Sequence, residues 1–72
     1  MIDNRLMARF YAIDELRTIA RRAKDSPIDR FERQTPAGWI KATISHKRCL
    51  WTLDDARIAK TALIDRLAQS YL

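Results

Sequence analysis

The sequence predicts a single α+β domain with the element order helix, short helix, β-hairpin, helix (ααββα) and the helices packed on one face of the hairpin. Three observations carry this reading. The first third of the chain has apolar residues at three- and four-residue spacing. The stretch from Trp39 to Leu53 is rich in β-branched, aromatic and aliphatic residues around a polar centre. A second helical period follows it. At 72 residues the chain has room for one domain, spanning 1–72, and its 47% hydrophobic content with one Gly and two Pro is that of a folded chain rather than a disordered one.

Asp3 or Asn4 is placed to cap a helix running to about Lys24, with Leu6, Phe10, Ile13, Leu16, Ala20 and Ala23 as its apolar stripe. Met7 and Tyr11 fall off that stripe. Ser26-Pro27-Ile28-Asp29 then has the form of a fresh helix start, with Ser26 as N-cap, Pro27 at the first helical position and Asp29 completing a capping box. This predicts a short helix to about Arg33. Thr35-Pro36-Ala37-Gly38 reads as a β-turn, with Pro36 at its second position and Gly38 at its fourth.

The hairpin's register follows from the requirement that one face be apolar. A loop centred between His46 and Lys47 pairs Ile44 with Cys49, Ala42 with Trp51 and Ile40 with Leu53, so all six side chains share a face. Lys41, Thr43, Leu50 and Thr52 then take the other face, with Trp39 at its edge. A three-residue loop would scramble the segregation, because a slip of one residue exchanges the faces. Thr52 and Asp55 read as a second capping box, predicting a last helix from about Leu53 to Tyr71 with Ala56, Ala59, Leu63, Ile64, Leu67 and Tyr71 on its main stripe.

The formal charge of +5 is unevenly distributed. Residues 17–24, with Arg17, Arg21, Arg22 and Lys24, contain no acid, and neither do residues 41–48, with Lys41, Lys47 and Arg48. Residues 54–72 are neutral, with Asp54, Asp55 and Asp65 set against Arg57, Lys60 and Arg66, and read as scaffold.

Enzymatic chemistry finds no foothold. His46 is the only histidine and falls in the predicted turn, and Cys49 is the only cysteine and falls on the predicted inward face. A lone cysteine excludes an internal disulfide and multi-cysteine zinc motifs, and one glycine cannot form a phosphate-binding glycine loop. Asp14-Glu15 projects from the polar side of the first helix, and Asp54-Asp55 is accounted for by capping. No cofactor or metal is expected, and no apolar run is long enough to cross a membrane. The expected compartment is the cytoplasm.

Binding is the remaining class of function. Arg17, Arg21 and Lys24 follow i, i+4, i+7 spacing and form a positive ridge suited to phosphates, and His46-Lys47-Arg48 forms a basic hairpin tip. Arg30, Arg33 and Gln34 are expected on the short helix between them, with Trp39 and Lys41 on the outer hairpin face. The leading expectation is a small regulatory protein that contacts nucleic acid phosphates through Arg17, Arg21, Lys24, Lys47 and Arg48. The alternative is a protein-binding inhibitor acting through Trp39 and Leu50, of the kind that phages and mobile elements encode against a single host protein; a homodimer is a further use for the unburied apolar residues.

Overall fold

The computed structural model describes residues 3–72 and has the order α1 (Asn4–Asp25), β1 (Arg30–Thr35), β2 (Gly38–Ser45), β3 (Arg48–Leu53), β4 (Ala56–Arg57) and α2 (Lys60–Ser70). The class is α+β as expected, but the order is αββββα, and the four strands form one antiparallel sheet in sequence order.

Helix α1 starts where the sequence placed it. The Asp3 carboxylate accepts a hydrogen bond from the Arg5 amide at 2.9 Å, and the helix stops at Ser26, just ahead of Pro27. The buried stripe differs from expectation. It consists of Ala8, Ala12, Leu16, Ile19 and Ala23, while Leu6 and Phe10 are exposed. Helix α2 runs antiparallel to α1. Its first residue, Lys60, shares a concavity with Ala20 and Lys24, and its Asp65 meets Arg9 at 2.7 Å, nearer the start of α1. Alanines at the interface let two helices approach closely, so the small residues are buried in place of the larger ones.

The expected helix over 26–33 does not form. The Ser26 hydroxyl accepts from the Ile28 amide at 3.3 Å, and the Ser26 carbonyl accepts from the Asp29 amide at 3.1 Å. These bonds close a local turn, and Asp29 has φ 57°, which no helix continues. The same side chains serve helix caps and tight turns, and here the turn prevails. Residues 30–35 are a strand instead, with Phe31, Arg33 and Thr35 half-buried and Arg30, Glu32 and Gln34 exposed.

The central hairpin has the predicted register, pairing Ile40 with Leu53, Ala42 with Trp51 and Ile44 with Cys49. His46 and Lys47 form its two-residue turn with φ 50° and 65°, both positive as a type I′ turn requires. Asp54 and Asp55 repeat this device with φ 50° and 69°. The acids expected to cap the last helix therefore form a second hairpin turn, joining β3 to β4. Consequently α2 begins at Lys60 rather than Leu53, Ala56 and Ala59 lie outside it, and Tyr71 is its exposed C-cap.

One sheet face is covered. Helix α1 lies across β1 and β2, α2 packs chiefly on α1, and Leu16, Ile19, Ile40, Leu63 and Leu67 are fully buried between the layers. The other face carries Arg30, Glu32, Gln34, Trp39, Lys41, Thr43, Leu50 and Thr52, and neither helix covers it.

Gly38, at the end of the Thr35–Gly38 turn, lets the two turns at one end of this sheet meet. Its φ is 131°, and a Cβ there would come within 2.5 Å of Asp54 Oδ2. Through the space that glycine leaves, Asp54 Oδ1 accepts from the Trp39 amide at 2.9 Å, and the Asp54 amide donates to the Trp39 carbonyl at 2.9 Å. Gly38→Ala adds a strained backbone to a clash with this carboxylate, and should destabilise the fold by about 1–3 kcal/mol. Thermal unfolding should then shift down by roughly 4–8 °C per kcal/mol. A shift within error of the parent would show that the approach of Asp54 is not a structural requirement.

Candidate nucleic-acid interface

The two acid-free basic segments, remote in sequence, meet in space. Arg17, Arg21 and Lys24 stand on the outward side of α1 in its C-terminal half, spaced so that successive turns present them together. With Ile13, Leu16, Ala20 and Lys60 they line a shallow concavity between α1 and the start of α2. A second concavity adjoins it, sharing Ala20, Lys24 and Lys60, and extends over Cys49, Leu50 and Trp51 of β3 to Lys47 in the turn, Arg57 on β4, and Ile58. Six cations from α1, the β2–β3 turn, β4 and α2 thus line one continuous groove: Arg17, Arg21, Lys24, Lys47, Arg57 and Lys60. No carboxylate lines either concavity. Among the described residues the ion pairs are Arg9 with Asp65 and Arg33 with Glu15, so none of these six cations is neutralised by a bonded acid.

The walls of the groove follow from the chain reversals. The type I′ turn at His46-Lys47 ends the hairpin close to Lys24, and the turn at Asp54-Asp55 sends the chain back along β3. Pairing of Arg57 with Thr52, and the bond from the Ile58 amide to the Trp51 carbonyl at 3.2 Å, hold that return. The chain then enters α2 beside Lys24. The N-cap of α2 is Ala59, which offers no side-chain acceptor, and its first turn contains no acid. The start of α2, at Ala59 and Lys60, lines the same positive groove, and the positive end of a helix dipole adds to its potential.

The other residues singled out from the sequence lie elsewhere. Arg30, Trp39, Lys41 and Arg48 stand on the open sheet face. Trp39 is 48% exposed, but it sits six residues along β2 from Ser45 at the turn, or about 20 Å at the usual rise per residue. Trp39 is therefore remote from the Lys47 end of the groove but nearer its β4 end, because Arg57 pairs with Thr52, and Thr52 with Lys41, two residues from Trp39 on the same sheet face. Arg33 was expected on a helix facing a ligand. It lies instead on the inward side of β1, bonded to Glu15 at 2.8 Å and with its guanidinium 5.6 Å from the Phe31 ring centre. That cation is used within the fold.

Sequence reading missed Arg57 and Lys60. Both fall in a stretch of zero net charge that was read as one helix, so nothing marked them as distinct. The turn at Asp54-Asp55 brings them to Lys24, with Arg57 also sharing a separate concavity with Asp54.

Cys49 forms part of the groove floor, where burial pushes its thiol above the ordinary value while Lys60 and Lys24 partly oppose the shift. No group of three or more metal-ligating side chains occurs among the described residues, and no helix is long and apolar enough to cross a membrane. No protein-family model, curated protein or solved structure matches this chain.

The thiol tests this geometry. A raised thiol holds less thiolate at a given pH, so alkylation of Cys49 at pH 8 should be slower in the folded chain than in urea. Replacing Lys24 and Lys60 with Gln removes the opposing charges and should slow it again. Equal rates in folded and unfolded chains would contradict the burial of Cys49. No further change in the Lys24→Gln/Lys60→Gln double variant would contradict the convergence of the lysines.

Proposed function

We propose that this chain is a non-enzymatic, cytoplasmic regulatory protein that binds nucleic acid through its phosphates in the basic groove. The observation that carries the reading is the gathering of six cations from four separate elements around a groove lined by no acid. Positive charge scattered for solubility alone would be interspersed with acids, as it is on the remainder of this chain. Phosphates spaced along a nucleic acid strand suit such a linear run of Lys and Arg, and binding would release counterions from the strand. The start of α2 adds the positive end of a helix dipole to the same site. Contacts of this kind go to the backbone, so the expected binding is tolerant of sequence.

The open sheet face supports a second reading, a protein partner held through Trp39 and Leu50. Trp39 is half-exposed there and no element of the fold covers it. Aromatic residues of this kind form the centres of protein interfaces.

Fluorescence anisotropy with mixed-sequence DNA and RNA oligonucleotides separates the two. Affinity should fall steeply between about 50 and 200 mM salt, and each of Lys24→Gln, Lys47→Gln and Lys60→Gln should lower the salt slope by about 1. Arg30→Gln and Trp39→Ala should leave that slope unchanged. Absence of binding to either nucleic acid at low salt would overturn the proposal. The second reading then predicts a stoichiometric protein complex, captured from lysate after nuclease treatment and lost with Trp39→Asp.

A further inference from the structure

The outward side of α1 is divided in two. Its C-terminal half carries the cations of the groove, while its N-terminal half presents Leu6 at 51% exposure and Phe10 at 56%, flanked by Tyr11 at 58%. Met7 and Ile13 beside them are half-buried. These apolar side chains are not accounted for by the core, because α1 buries its alanine side instead.

We infer that this half of α1 is the seam of a homodimer, in which two copies pack antiparallel about a twofold axis passing beside Phe10. The inference is independent of the nucleic-acid reading and rests on the charge pattern around the patch. An antiparallel pair centred on Phe10 sets each residue n against residue 20 minus n of the other copy. Phe10 then meets the second Phe10, Met7 meets Ile13, and Leu6 falls at the level of residue 14, between the second copy's Ile13 and Arg17. Asp3 meets Arg17 at each end of the seam. Sliding the axis to lie between residues 8 and 9 would set Asp3 against Asp14, a like-charge pair, so the charges favour the Phe10 register over that one. Arg17 has no ion-pair partner within its own chain among the described residues, which leaves it available to Asp3 of the second copy.

A twofold seam of this kind is self-complementary, as a closed dimer requires. It is also small, since only about three turns of each helix take part, so a weak dimer is expected rather than an obligate one. It occupies Arg17 but leaves Arg21, Lys24, Lys47, Arg57 and Lys60 of both grooves free. Together with the nucleic-acid reading, it would set the two copies of Arg21 about 33 Å apart along the helices, near the length of one duplex turn.

Sedimentation velocity of the nucleic-acid-free protein, from about 5 μM to 1 mM, tests the seam directly. The wild-type chain should pass from monomer to dimer within that range. Phe10→Asp should remain monomeric, with the dissociation constant raised at least tenfold and, at the lowest concentration, where both chains are monomers, the thermal unfolding midpoint unchanged, because residue 10 is exposed in the monomer. Arg17→Asp should weaken the dimer similarly by placing two acids together at each end. In a Cys49→Ser background, Phe10→Cys should be joined efficiently by a short bis-maleimide, because residue 10 sits at the axis, whereas Gln34→Cys on the far sheet face should not. A monomer throughout the range, a dimer that survives Phe10→Asp, or equal cross-linking at positions 10 and 34 would overturn the inference. Since no nucleic acid is present, none of these outcomes depends on what the groove binds.

Discussion

The contact between Asp54 and the Gly38–Trp39 segment is the constraint on which the rest of the structure depends. Asp54 takes up a left-handed backbone at the end of β3, and its carboxylate and amide bond both the amide and the carbonyl of Trp39. Two reversals of the chain, at Thr35–Gly38 and at Asp54-Asp55, are thereby tied at one end of the sheet. Only a glycine leaves the carboxylate enough space. From this tie the short β4 runs back along β3, and α2 starts beside the C-terminal half of α1. Had the last helix begun at Leu53, as its capping signals indicated, Arg57 and Lys60 would have lain along a helix surface instead of meeting Lys24 and Lys47.

Concentrating cations in this way opposes folding, because like charges brought together repel and no acid offsets them locally. The acids of the chain are used elsewhere. Asp65 holds Arg9, Glu15 holds Arg33, and Asp54 holds the turn. The apolar core, centred on Leu16, Ile19, Ile40, Leu63 and Leu67, must offset the repulsion. An anionic ligand would relieve it, and anything that binds only the folded chain also stabilises it. A small domain has little margin for uncompensated charge, which makes a groove of this composition more informative here than on a large protein.

The parts of the fold that were legible in the sequence are those where one signal dominated. Helix α1 had a cap, a long period and no breaker, and the β2–β3 register had one solution that separated apolar from polar side chains. Legibility failed wherever a residue type serves two local structures. Ser26 and Asp29 suit a helix cap or a turn, and so do Asp54 and Asp55. Their neighbours could not decide between these, because Phe31 is the only apolar residue in β1, and β4 has two residues. The stripe of α1 was misjudged for a different reason. Apolar spacing along α1 fits more than one stripe, and the packed helix buries the one with Ala8 and Ala12 and leaves Leu6 and Phe10 outside. For the site, Arg17, Arg21, Lys24 and Lys47 were visible as acid-free charge, and Arg57 and Lys60 were concealed by the acids beside them in sequence. Arg33 was assigned to a ligand because its partner, Glu15, is distant in sequence.

The central claim is that the groove between α1, the β2–β3 turn and α2 is where nucleic acid is held. Titration of the isotope-labelled protein with a short mixed-sequence oligonucleotide at low salt, followed by backbone amide chemical shifts, tests it most directly. The expected shifts cluster at Ala20, Lys24, Lys47, Cys49, Arg57 and Lys60, and fade as salt is added. Shifts confined to Arg30, Trp39 and Lys41 on the open sheet face, or none at any site, would contradict the account.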